Sequence, residues 1–126
     1  MGFEIISTTK APVAIGPYSQ AVKAGNVIYT SGTIPVDPTT GEVVAGGVAE
    51  QAEQALKNLK EILAGAGASL ETVVKTTVFI KNMNDFATIN DVYKRYFTKN
   101  FPARSCVEVA RLPKDVLIEI ECVAVV

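Results

Sequence analysis

Residues 116–126 read VLIEIECVAVV, and the alternation of a β-strand sorts them into two sets. Val116, Ile118, Ile120, Cys122 and Ala124 point one way, while Leu117, Glu119, Glu121, Val123 and Val125 point the other. Neither set is polar. A two-layer domain covers only one sheet face with helices, so an apolar second face needs a partner, most simply another copy of the chain.

Outward from this strand, Leu112 to Asp115 read as a turn and Arg104 to Ala110 as another strand. Pro102 closes a preceding helix whose stripe is Phe86, Ile89, Tyr93, Tyr96 and Phe97, with Asn82 or Asn84 as its N-cap. Thr72 to Lys81, TVVKTTVFIK, is β-branched and aromatic, as a central strand is. Val48 to Ala66 has helical period: Val48, Ala52, Ala55, Leu56, Leu59, Ile62, Leu63 and Ala66 fall on one face. Glu50, Gln51, Glu53, Gln54, Lys57, Lys60 and Glu61 fill the other, and Gly65 or Gly67 supplies a left-handed cap. Before it lie a turn at Asp37 to Gly41, a hairpin of Ala21–Lys23 with Val27–Thr30, and a short run at Phe3 to Ile6. The order β-β-β-α-β-α-β-β predicts an α+β fold: a two-layer, mixed six-stranded sheet with two helices on one face, in one domain over residues 1–126.

Composition removes several chemistries. The 126 residues carry 12 Lys and Arg against 13 Asp and Glu, for a net charge of −1, and no basic patch stands out. Phosphate-directed nucleic-acid binding is therefore not favoured. No run approaches the roughly 20 apolar residues that span a bilayer, and MGFEIISTTKAP lacks the pattern of a signal peptide. The expected location is cytoplasmic. Cys106 and Cys122 have no CxxC spacing and are expected as free thiols. There is no histidine, which excludes Ser-His and Cys-His nucleophile pairs and His-ligated metals. A placed carboxylate and an anion-binding Arg remain available.

Some residues do not suit their face. Asn90 lies along the apolar stripe of the second helix, either satisfied structurally by a neighbour or acting as an orienting contact near a site. Glu119 and Glu121, roughly 6.5 to 7 Å apart along a strand, are either ion-paired at a rim or partly buried carboxylates suited to acid or base work. Were the Arg104 strand paired antiparallel with the last one, Arg104 would lie close to the 119–123 region. It would serve there as a salt-bridge partner or as a bidentate anchor for a small acid. Cys106 reads as a core filler without a base. Ser31-Gly32 either turns the chain or presents backbone N–H groups, and the GPYSQ segment lacks the spacing of a nucleotide loop.

Four segments in order, APVAIGPYSQA (11–21), YTSGTIPVDPTTGEV (29–43), VVKTTVFIKNMNDFATIN (73–90) and FPARSCVEVARLPKDVLIEIE (101–121), make the chain resemble the RidA/YjgF family over nearly its whole length. The resemblance implies a chorismate-mutase-like fold, a homotrimer with sites in the clefts between subunits, and no cofactor or metal. It also implies hydrolysis of enamine/imine intermediates such as 2-aminoacrylate and 2-aminocrotonate, with their imine tautomers, to 2-oxo acids and ammonium. By the same resemblance Arg104 grips the substrate carboxylate and Glu119 holds or activates the attacking water. Tyr18, Ser31, Gly32, Asn90 and Cys106 line the pocket. The Thr98-Lys99-Asn100 loop and Cys122 depart from some relatives. Two other readings attach to the family: an endoribonuclease or translation inhibitor, and a non-catalytic carboxylate-binding or chaperone-like module.

Overall fold

A computed structural model describes residues 2–126; Met1, which opens the MGFEIISTTKAP stretch, lies outside the described residues. The strands are β1 (Glu4–Ile6), β2 (Ala21–Ala24), β3 (Val27–Thr30), β4 (Val73–Ile80), β5 (Ala103–Glu108) and β6 (Ile118–Val125). The helices are α1 (Val48–Gly65) and α2 (Phe86–Tyr96). They form one six-stranded sheet in the order β1-β2-β3-β6-β4-β5. The expected α+β class and element order hold. β6 sits inside the sheet, antiparallel to β3 on one side and β4 on the other. Ile118, Ile120, Cys122 and Ala124 are buried, and with Ile28, Val78 and Ile80 they meet Leu56, Leu59 and Leu63 of α1 and Ile89 and Val92 of α2.

α1 ends as its glycines allow, with Ala66 as cap and Gly67 in the left-handed region at φ +79°. Its polar face is not all solvated, however. Gln51, placed on the exposed side by the periodicity, is buried, and its Oε1 accepts the Leu117 N–H at 2.7 Å. Asn58 is buried as well. Its Nδ2 donates to the carbonyls of Ile34 (3.1 Å) and Val36 (2.9 Å), and its Oδ1 accepts from Gln54 at 2.8 Å. Gln20 does the same for the first loop, accepting the Thr8 N–H at 2.7 Å and donating to the Pro12 carbonyl at 2.7 Å. Each amide stands in for the backbone partner that an irregular segment lacks, because a buried unpaired polar group is costly.

One expected pairing is wrong. β5 does not pair with β6; it runs parallel to β4 on the edge, with β4 between it and β6. The reason lies in the connections. β4-α2-β5 is a strand–helix–strand unit, whose crossover suits parallel neighbours, whereas the segment from Leu112 to Asp115 is a 3-10 turn after an irregular stretch rather than a hairpin turn.

The second sheet face is open. Ile5, Val22, Tyr29, Val123, Phe79 and Val107 lie on it, with Ile5 63%, Tyr29 49% and Val107 40% exposed. The apolar second set of the last strand thus remains uncovered within one chain.

Candidate active site

Glu119 pairs in register with Phe79 and Glu121 with Thr77, so both glutamates stand on the open face. Glu119 is half-buried against Gly32. A Cβ added at Gly32 would fall 1.7 Å from Glu119 Oε2 and 2.6 Å from its Cδ. Only a glycine lets that carboxyl lie on the chain there. Burial first, and then the negative charge of Glu121, raise the Glu119 carboxyl above its ordinary 4.5.

The segment carrying Gly32 is held by its neighbours. Thr33 exchanges backbone hydrogen bonds with Ile120 (N–H of Thr33 to Ile120 carbonyl 2.7 Å, N–H of Ile120 to Thr33 carbonyl 3.0 Å). Ser31 donates its N–H to the Gln20 carbonyl at 2.9 Å and its Oγ to the Ser19 carbonyl at 2.6 Å. The Ser31 backbone is therefore engaged in building the loop. Tyr18 is 49% exposed on that loop, its own N–H turned to the Gly16 carbonyl at 2.8 Å.

Tyr18, Ser31, Gly32 and Glu119 line one cleft together with Ile15, Ile34, Pro113 and Lys114. An apolar extension continues past Pro12, Val13 and Val36. The Lys114 wall was not readable as part of a site. Lys114 and Asp115 both have φ of 56°, in the left-handed region, which costs of order 1 kcal/mol for non-glycine residues. Arg111 holds the turn by a two-point bond to the Asp115 carboxylate at 2.7 and 3.2 Å.

Arg104, Asn90 and Cys106 lie elsewhere. Arg104 is in register with Thr76, and Thr76 with Cys122, so Arg104 sits on the helix-covered face, two strands from β6 and on the opposite side of the sheet from Glu119. The expected closeness of Arg104 to the 119–123 region fails within one chain for two reasons: the intervening strand, and the parity of the register. Arg104 Nη1 donates to Asn90 Oδ1 at 2.8 Å, so the misfit amide of α2 serves this arginine. Among the described residues the ion pairs are Lys94–Asp91, Arg95–Glu53 and Arg111–Asp115; none occupies Arg104. Cys106, beside it on β5, packs against the core, and burial raises its thiol above the usual value while Arg104 opposes the rise. Cys122 is pushed up to about 12, chiefly by burial. Neither thiol is poised as a nucleophile.

The seven sequence-derived candidates thus fall into two groups: Tyr18, Ser31, Gly32 and Glu119 at the cleft on the open face, and Asn90, Arg104 and Cys106 at the sheet edge. Among the described residues no group of three or more His, Cys, Asp or Glu side chains could hold a metal ion, and no helix is long and apolar enough to cross a membrane.

The model of the family described as Endoribonuclease L-PSP matches residues 8–126. The chain belongs to this family, the RidA/YjgF family. An Escherichia coli K12 relative named 2-iminobutanoate/2-iminopropanoate deaminase is 61% identical over 123 residues, covering 95% of each chain. A human relative of the same name is 59% identical over 121 residues, 96% of this chain and 88% of its own. In structure the chain is similar to E. coli TdcF with bound serine, at a TM-score of 0.93 and 54% identity over 98% of both chains. The RidA fold is therefore shared along the whole matched length.

Proposed function

We infer that the chain hydrolyses small imines and enamines of 2-amino acids, 2-aminoacrylate/2-iminopropanoate and 2-aminocrotonate/2-iminobutanoate, to 2-oxo acids and ammonium. The observation that carries this reading is the Glu119 carboxyl seated on Gly32 in a cleft, its affinity for a proton raised by burial. Two relatives of about 60% identity that bear the deaminase name support the same reaction.

The imine carbon is already electrophilic, so catalysis needs orientation, a placed water and proton transfer. Arg104 grips the substrate carboxylate with its planar fork, and its having no carboxylate partner among the described residues supports that role. Water adds to C2 of the protonated imine while Glu119 takes one of its protons, giving a neutral tetrahedral carbinolamine. Glu119 returns that proton to the nitrogen, and as the C–N bond breaks the hydroxyl proton passes to the departing ammonia, leaving the carbonyl and ammonium. Tyr18, Ser31 and Gly32 line the carboxylate half, and Asn90 and Cys106 the arginine half. The reaction needs no cofactor.

Because Arg104 and Glu119 stand on opposite faces of one sheet, a site using both is completed by a second copy of the chain. The uncovered apolar face with Tyr29, Val123 and Phe79 supports such an assembly, and a closed homotrimer gives three equivalent sites. Residues 1–126 act as a single domain. The imines are short-lived, so the enzyme works where dehydratases release them, in the cytoplasm.

Coupled to a pyridoxal-phosphate-dependent threonine dehydratase with a trapping amine present, the protein is expected to speed loss of the intermediate and lower the amount of trapped adduct. Adduct formation at the uncatalysed level would sink the deaminase reading. Salt-sensitive RNA cleavage lost with Glu119 would instead support the activity in the family's description. The near-neutral, histidine-free sequence does not favour that activity.

Gly32→Ala tests the seat of the carboxyl. The new methyl occupies the place of Glu119 Oε2, and a displacement of about 1 Å in a reacting group can cost on the order of a hundredfold in rate. The expected result is a kcat lowered to that extent with an almost unchanged melting temperature. Wild-type kcat would show that the Glu119 position on Gly32 is immaterial.

A further inference from the structure

Arg104 is held from more directions than a surface arginine needs. Its Cζ lies 4.8 Å from the Tyr93 ring centroid and 5.4 Å from that of Phe86, and its Nη1 donates to Asn90 at 2.8 Å. Phe86, Asn90 and Tyr93 are spaced four and three residues apart on α2, so they form one stripe toward β5. Tyr93 has a fixed orientation: its hydroxyl shares a buried hydrogen bond of 2.9 Å with Thr76 Oγ1, and its ring stacks on Phe97 with centroids 4.6 Å apart. Phe86 is 37% exposed at the first residue of α2, an uneconomical place for a ring whose only task is to fill the core.

We propose that Phe86 and Tyr93 are positioning residues: an aromatic cradle that sets the plane of the Arg104 guanidinium, with Thr76 fixing Tyr93. The proposal rests on the reading of Arg104 as carboxylate anchor. A guanidinium carries five N–H donors in one plane and is attracted by its face to an aromatic ring. Asn90 takes a donor on Nη1 and both ring centroids lie within 5.4 Å of Cζ; with the rings against the guanidinium face, in-plane donors are left for the two oxygens of a carboxylate. Since a bidentate carboxylate docks in that same plane, the cradle orients the substrate's carboxylate as well as the arginine. Lysine at 104 would lack both the plane and the stacking face.

The test is steady-state hydrolysis of 2-iminobutanoate together with inhibition by 2-oxobutanoate, a non-reacting acid. Phe86→Leu removes one ring wall at a partly exposed position, and Phe86→Tyr keeps it; Tyr93→Leu and Tyr93→Phe repeat the comparison on the buried side. Loss of one ring is expected to raise KM and the inhibition constant about fivefold. kcat should stay within about twofold, because binding lost equally from ground and transition states appears in KM. Phe86→Tyr should restore both constants, whereas Tyr93→Phe, which keeps the ring but loses the hydroxyl held by Thr76, should restore them only in part. Unchanged constants in Phe86→Leu, where Arg104→Ala raises them, would overturn the cradle. A rise that Phe86→Tyr fails to reverse, accompanied by a lower melting temperature, would also overturn it, because packing alone would then account for the effect. Arg104→Ala with unchanged constants would remove the anchor reading, and the cradle with it.

Discussion

Replacing Glu119 by glutamine is expected to lower kcat about a hundredfold or more, the scale of general acid–base catalysis by one group, while 2-oxobutanoate binds with near wild-type affinity. Glutamine keeps the shape over Gly32 but cannot take or return a proton. The wild-type acid limb of kcat/KM should be shifted upward from 4.5, since burial and then Glu121 both raise this group. In Glu119→Gln that limb should disappear from the residual rate. The stability readout has a definite sign. A carboxyl with a raised folded value favours the protonated fold, so its contribution is fully present below the unfolded value and lost as pH rises through the folded one. The glutamine variant should therefore gain on the wild type in melting temperature as pH rises across that window. Fast turnover together with an unchanged acid limb would assign the proton transfer to another group, with Glu121 the first to examine.

Local pattern carried much of the fold. Helical spacing located α1, β-branching located β4, and the two apolar faces of VLIEIECVAVV marked the strand that lies inside the sheet. What local pattern could not carry was the order of strands beyond the next connection. β5 follows β4 in space as well as in sequence, because α2 returns the chain parallel to β4, while β6 enters on the other side of β4. Alternation tells which residues of one strand share a face, but it does not relate the faces of two strands until their register is known. Arg104 and Glu119 were each recognisable as candidates; that they stand on opposite sides depends on register through Thr76 and Phe79.

The supporting residues of the site were harder to read for another reason. Gln20, Gln51 and Asn58 are polar and were assigned no place in the core, yet each is buried and ties down irregular chain near the cleft. Pattern analysis assigns polarity to solvent, whereas a buried amide is explained only by the backbone groups it satisfies. Lys114 likewise belongs to a turn whose left-handed geometry carries no glycine signal. Phe86 did have a signal, its place on the stripe of α2, but the stripe suggested core packing, and its partner turned out to be a cation.

Arg104→Ala is expected to lower kcat/KM on the order of a hundredfold or more, the scale on which loss of a half-buried, charge-assisted anchor is felt, and chiefly through KM. Its more decisive use is in mixture with Glu119→Gln. Each variant alone damages every site. If a site is built from the carboxylate half of one copy and the arginine half of another, a subunit of one variant beside a subunit of the other forms an intact site. In a trimer assembled at random from equal amounts after unfolding and refolding together, about a quarter of the junctions pair an intact Glu119 with an intact Arg104. Activity should return to about that fraction of wild type, whereas mixing without subunit exchange should restore none. A site contained within one chain predicts no recovery under either condition, because every chain then carries a lesion. The opposite faces of Glu119 and Arg104 in the sheet register make recovery the expected result. Its absence, with mixed trimers demonstrated by mass, would require the two residues to serve different functions.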